Sequence, residues 1–280
     1  MARRRYAFDE DRIALFHKEG RGTGRGGDYK PWLTVQDVPS SGRVHRVRGL
    51  KTGRQHHLLS DIKWRHFLLF DWPDDTEDIR EQFPLDHALT QQIAEDLDIR
   101  HPLDPTTKVP LVMTTDLVVD VIVGGRLVTL ARAIKPAAEL SKPRILEKLE
   151  IERRYWLAQD IEWGVLTEWD VPMTPISAIL WVHQYGYLDN LSQPYTGYFE
   201  EKARFVLQEL EFQPSGLSLR QFCQDMDDLL DLEAGTALFL TRHLLATKRL
   251  RCDMREPLDD TVSLDRFEAG VSAPPEKVAG

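Results

Sequence analysis

Residues 109–123 and 126–135 are two apolar, β-branched runs separated by Gly124-Gly125, and that dipeptide constrains the fold more than any other feature of the chain. Two glycines between such runs form a two-residue hairpin turn. Pairing Val123 with Arg126 then sets the register behind the turn. Ala133 faces Asp116, and Lys135 stands opposite Thr114, one diagonal step from the Asp116 carboxylate. An acid and a lysine converging from adjacent strands form the core of a metal-dependent phosphodiesterase site. The same geometry is that of a cross-strand ion pair, and spacing leaves both readings open.

A chain of 280 residues is long enough for a substantial core and one or two domains. No stretch of roughly 18 apolar residues is present to span a membrane. The amino terminus has three arginines followed by acidic and aromatic residues rather than the apolar stretch of a secretory signal. Cys223 and Cys252 have neither disulfide-framework nor zinc-site spacing, so a cytoplasmic location is expected. The net charge of −9 is unevenly distributed: residues 1–66 hold 15 Lys/Arg against 7 Asp/Glu, and the rest hold 21 against 38. A basic front suits phosphate contact, although a solvated arm has the same composition.

Residues 1–30 read as a basic arm with a short helix near 11–18 and a glycine-rich linker. The linker has no Gly-Lys-Ser/Thr ending, so it is not a phosphate-cradling loop. Arg43, His45, Arg46, Arg48, Lys51, Arg54, His56 and His57 follow in a region of paired strands or loops, read as a DNA-facing surface. Ser60-Asp61 caps a helix over 62–70. A strand over 78–85, a helix over 90–97, the hairpin, a helix over 144–157 and a strand over 161–167 complete the unit. Because the last strand returns after a helix, it pairs in parallel, giving a mixed sheet flanked by helices.

This element order, with an acid in the hairpin and a lysine at the end of its second strand, resembles the restriction-endonuclease-like nuclease fold. Gly20-Arg21-Gly22, residues 30–43, Lys51-Thr52-Gly53-Arg54, residues 57–61, residues 78–85, Thr115-Asp116, Lys135-Pro136-Ala137-Ala138 and residues 146–156 carry a closer likeness. In register from about residue 10 to 170, they resemble the TnsA endonuclease family of Tn-seven-like heteromeric transposases. That resemblance implies Mg²⁺-dependent hydrolysis of the 5′ strands at transposon ends, with Mn²⁺ as a possible substitute. It also implies partnership with a TnsB-type transposase, which cuts and joins the 3′ ends, and with a TnsC-type ATPase regulator. Asp116 would be the shared metal ligand, and Lys135 would orient or help deprotonate the attacking water.

Two positions depart from the family pattern. Lys63 stands where a glutamate ligand is expected on the first core helix, and Ala133 where a glutamine is expected. An ammonium in place of a carboxylate removes a ligand and adds a cation where the metal should sit. Among substitutes, Asp120 lies roughly 13 Å along the strand from Asp116 at ~3.3 Å per residue, which is too far. Asp61 points roughly 200° away from Lys63 on its helix. Glu81, on the neighbouring strand, is the best-placed replacement acid. Glu152 interrupts the apolar stripe of Ile145, Leu149 and Trp156 and faces the sheet, either supporting the site or forming a surface ion pair. Two hypotheses therefore stand: an active endonuclease with a recruited acid, or a cleavage-silent subunit bridging its partners in which Lys63 neutralises Asp116.

Residues 171–267 read as a mainly helical, winged-helix-like domain, with helices over 174–187, 198–211, 218–230 and 232–247 and a basic hairpin over 248–255. Arg242, Lys248, Arg249 and Arg251 would be its DNA contacts. Against this, residues 160–280 hold 21 acidic and 10 basic residues, which suits a protein partner better than phosphates. In the family that partner is the TnsC-type ATPase. The tail over 268–280, with Pro274-Pro275, reads as disordered.

Overall fold

The computed structural model describes residues 7–38, 42–189, 191–210 and 212–270. The chain divides into two compact units, Met1–Pro172 and Met173–Gly280. In the first, α1 (Glu10–Lys18) precedes β1 (His45–Arg48), β2 (Gln55–Leu58), α2 (Asp61–Asp71), β3 (Thr76–Pro84) and α3 (His87–Asp96). The hairpin β4 (Thr114–Val123) and β5 (Arg126–Ile134) follows, then α4 (Pro143–Leu157) and β6 (Glu162–Leu166).

The main sheet has the order β3-β4-β5-β6, antiparallel from β3 to β5 and parallel between β5 and β6. This is the mixed sheet flanked by helices expected of a restriction-endonuclease-like fold. Gly124 and Gly125 turn the hairpin at φ +57° and +77°, values that side-chain-bearing residues rarely adopt. Val123 pairs with Arg126 and Leu117 with Arg132, so the register imposed by the turn persists along the ladder. The connection from β5 to β6 is made by α4. This helix starts at Pro143, whose missing N–H is harmless in a first turn. Its Ile151, Tyr155 and Trp156 pack with Val118 and Ala131 of the sheet and with Ile93 and Ala94 of α3.

The amino-terminal segment is not the linker that its composition suggests. Phe8 and, on α1, Ile13 and Phe16 pack into a cluster with Trp32 and Val112. The glycine-rich stretch is hydrogen-bonded to itself, from Gly22 N to Lys30 O at 2.6 Å and from Lys30 N to Thr23 O at 3.1 Å. It is also tied to β3 by Gly26 N donating to Asp78 Oδ1 at 3.1 Å. Gly22 has φ +79°, and a Cβ there would lie 2.1 Å from Pro84 Cγ, so close approach to β3 demands glycine. Residues 1–6 of the expected arm lie outside the described residues.

The second unit contains α5 (Met173–Val182), α6 (Tyr198–Leu210), α7 (Leu219–Leu229) and α8 (Thr236–Ala246). Ile176, Ile179, Val206, Phe222, Met226, Leu240 and Leu244 form its buried interior. The expected hairpin within 248–255 does not form. Instead β7 (Leu250–Arg251) pairs with β8 (Glu268–Ala269), placing two residues of the expected tail in a strand. Residues 271–280, including Pro274-Pro275, lie outside the described residues. Cys223 and Cys252 are free thiols, and no described helix is long and apolar enough to cross a membrane.

Gly22→Ala is expected to destabilise the chain by about 2 kcal/mol or more, combining left-handed strain with the Pro84 clash. Gly26→Ala, at φ +53° with open space around its Cβ, serves as the control for left-handed strain alone. Urea denaturation of both variants checks this, and equal losses would show that the approach to Pro84 carries no weight.

Candidate active site

Asp116 lies one residue before the stretch where β4 and β5 pair, because the ladder ends at Leu117 and Arg132. Beyond that point the amide of Ile134 donates to Asp116 Oδ2 at 2.8 Å instead of to a backbone carbonyl. Lys135 is fixed by its own amide, which donates to Leu166 O of β6 at 3.0 Å, and Pro136 then ends the strand. Its ammonium reaches back to Asp116 Oδ2 at 2.7 Å and to Ile134 O at 3.2 Å.

The other carboxylate oxygen is also occupied. Ser60 caps α2 by accepting from Lys63 N, which holds Lys63 in the first turn of the helix. Lys63 Nζ sits 2.7 Å from Asp116 Oδ1. Gln82 Nε2 adds a weaker contact to Oδ1 at 3.3 Å, while its Oε1 accepts from Thr114 Oγ1 at 3.3 Å. Gln82 has φ +48°, a strained conformation for a residue with a side chain. Nothing in the sequence marks that position, and this contact to Asp116 escapes a reading based on strand alternation.

Burial alone pushes the Asp116 carboxyl up, but the Lys135 and Lys63 ammonium groups overrule it and hold the acid well below the usual carboxylate range. Lys135 is driven down by burial and raised, on balance, by Asp116 and Glu152. Ala133 is fully buried and offers no side-chain donor atom. Glu152 is buried beside this group, with Oε1 accepting from Thr115 Oγ1 at 2.7 Å, and Thr115 Oγ1 in turn accepts from Trp156 Nε1 at 2.7 Å. Burial pushes the Glu152 carboxyl up to about 7, the Asp116 charge adding to the rise and Lys135 opposing it.

Glu81 is not brought to Asp116. Its carboxylate turns to the β1–β2 hairpin, where Arg54 grips it through Nη1 at 2.9 Å and Nη2 at 2.5 Å. His56 Nδ1 at 2.8 Å and the amide of His57 at 3.0 Å complete the shell. A carboxylate so fully engaged has no free lone pair for a metal shared with Asp116. The same cluster corrects a second expectation: Arg54 and His56 are buried in structure-holding contacts rather than turned outward to DNA. Arg43 and Arg46 are exposed, and Arg48 and Lys51 are partly exposed. Asp120 is engaged by Arg25, Arg80 and Thr129.

In the second unit, Arg242 donates to Tyr185 Oη at 2.7 Å and stacks 4.2 Å from the Trp181 ring. Arg249 pairs with Glu200 at 2.8 Å. These two arginines are thus tied into their own fold, while Arg251 is exposed and Lys248 partly so. Among the described residues, no group of three or more His, Cys, Asp or Glu side chains is placed to hold a metal ion.

Residues 73–168 match the family described as TnsA-like endonuclease N terminal, and residues 170–254 match TnsA endonuclease C terminal. The chain is also 42% identical over 246 residues to the Transposon Tn7 transposition protein TnsA of Escherichia coli, covering 88% of this chain and 87% of that protein.

The Glu152 shift has a definite sign. A carboxyl raised from 4.5 to about 7 on folding holds its proton more tightly in the native state. The stability it contributes is therefore present below the unfolded value and is lost as pH rises through the folded one. Glu152→Gln keeps an acceptor for Thr115 without the ionisation. It should match the wild type near pH 4 and exceed it at pH 8 by on the order of 2–3 kcal/mol in urea denaturation. A pH-independent difference would contradict this assignment.

Proposed function

This chain belongs to the TnsA endonuclease family, and from that membership we propose that it is the DNA-cutting subunit of a heteromeric transposase, hydrolysing the 5′ strands at transposon ends. The observation that carries the reading is the Asp116–Lys135 pair, joined at 2.7 Å where β4 and β5 part. Arg43, Arg46, Arg48 and Lys51 supply a basic edge suited to the DNA backbone. The acidic second unit suits a protein partner, in this reading a TnsC-type ATPase, with a TnsB-type transposase cutting the opposite strands. The site of action is the cytoplasm.

Nucleases of this family imply a divalent metal, and Mg²⁺ or Mn²⁺ would supply Lewis-acid stabilisation of the attacking and leaving oxygens. The residues present do not fit one as they are arranged. Hard cations need several oxygen donors. Here both oxygens of Asp116 face ammonium groups, Ala133 contributes no donor, and Glu81 is committed to Arg54 and His56. Two lysines against one ionised aspartate leave a local positive charge that repels a dication and attracts a phosphate. Lys135 and Lys63 can donate hydrogen bonds to the non-bridging oxygens of a phosphodiester, and Lys135 can orient a water beside it.

One observation favours a second reading. Lys63 Nζ lies 2.7 Å from Asp116 Oδ1, at the position where the family pattern has a glutamate. With that ion pair in place, the subunit would bind transposon-end DNA and bridge its partners without cutting, leaving 3′ cleavage alone. The purified subunit with its TnsB-type partner, assayed for nicking of each strand in Mg²⁺ and in Mn²⁺, separates the two. The endonuclease reading expects 5′ nicks from wild type, and at least a hundredfold fewer from Asp116→Ala. Nicks that appear only with Lys63→Glu would establish the silent subunit, whereas equal nicking by wild type and Asp116→Ala would remove Asp116 from the chemistry.

A further inference from the structure

The first unit contains a cavity of about 230 Å³ between the loop that joins α3 to β4 and the start of α4, and its walls are strongly basic. Arg100 and Lys108 come from the loop, and Arg144 and Lys148 from the helix. Asp104 also lines the cavity, but its carboxylate is taken up by the amides of Phe8 at 2.9 Å, Thr106 at 2.8 Å and Thr107 at 2.9 Å. Arg144 pairs with Glu147 at 2.6 Å, with both side chains about two-fifths exposed, a pairing of small strength. Lys108 Nζ donates to Pro105 O at 2.8 Å, a neutral acceptor, and no ion pair with it is formed among the described residues. His101 is bonded to Pro102 O and to Thr90, and burial pulls its imidazole below the usual value.

Lys148 is the informative residue. It is half-buried, and no described residue forms an ion pair or hydrogen bond with its side chain. Burial, then Arg144 and then Lys135, push its ammonium below the usual lysine value. A cation crowded by cations and lacking a counter-ion destabilises a fold, so a bound anion would recover that cost. Its position also has direction. Arg144, Lys148 and Glu152 stand at i, i+4 and i+8 along α4, a row leading from the cavity to the buried group around Asp116 and Lys135.

We propose that this cavity is a phosphate-binding site that seats a backbone phosphate of the DNA strand, next along the strand from the phosphate presented to Lys135. The proposal rests on the reading of this chain as a DNA-acting subunit and extends it. Lys148 is the central contact, Arg144 and Lys108 flank it, and the site sets the register of the strand rather than its sequence.

The full chain is titrated against a fluorescent duplex of arbitrary sequence between ~50 and ~200 mM salt, because phosphate contacts are sequence-independent. Lys148→Gln should weaken binding about tenfold and reduce the steepness of the salt dependence by about one. Lys148→Arg should stay within about twofold of wild type, as should Lys142→Gln, an exposed lysine outside the cavity. The melting temperature of Lys148→Gln should equal or exceed that of wild type, which separates loss of a contact from loss of the fold. Unchanged affinity and salt dependence in Lys148→Gln would overturn the proposal. If inorganic phosphate stabilises wild type but not Lys148→Gln while both bind the duplex equally, the cavity takes a free phosphate and the strand assignment fails. If wild type itself does not bind duplex, the DNA-acting reading fails, and the strand assignment with it.

Discussion

A single buried carboxylate organises the first unit. Asp116 accepts from the amide of Ile134 and from the ammonium groups of Lys135 and Lys63. It thereby joins β4, the end of β5 and the first turn of α2 at one point. Removing one member of such a buried group leaves uncompensated charge, at a cost of roughly 3–5 kcal/mol. The interaction to which the chemistry is assigned in the proposed function is therefore also one that positions the helix against the sheet. This coupling gives a physical reason for the Asp116–Lys135 geometry to persist whether or not the site cuts DNA.

Excess positive charge is the consequence that reaches function. Around Asp116 two ammonium groups face one ionised carboxylate, and burial raises the Glu152 carboxyl to about 7, so more than half of it is protonated below pH 7. The Arg144 and Lys148 row on α4 extends the same sign of field toward the basic cavity. An environment of this sign draws a phosphodiester and opposes a dication. In the proposed reading, this charge favours the phosphates of the strand over the ion, two partners that a metal-dependent nuclease normally holds together.

Much of this was legible in the sequence, and what was not has identifiable causes. The Gly-Gly turn set the hairpin register, and the register put Lys135 beside Asp116, where the structure places it. Periodicity located α4 and the inward direction of Glu152. Sequence alone points Glu81 to a metal and Arg54 to DNA, because alternation along a strand says nothing about which distant hairpin covers it; in the fold they bind each other. Gln82 is invisible to a strand reading because its positive φ breaks the alternation on which that reading depends. The glycine-rich stretch reads as a linker by composition, yet its Gly22 serves close packing against Pro84. The partner of β7 lies beyond an intervening loop, a separation at which local hairpin signals carry no information.

The central claim is that Lys63 and Lys135 together hold the Asp116 carboxylate where a divalent ion would otherwise bind. Diffraction from crystals of the wild-type chain grown in Mn²⁺, with anomalous scattering recorded at the manganese edge, addresses it directly. The account predicts no anomalous peak at Asp116, with Lys63 Nζ remaining in hydrogen-bonding contact with Oδ1. A manganese peak within coordination distance of Asp116, with Lys63 swung away, would contradict it.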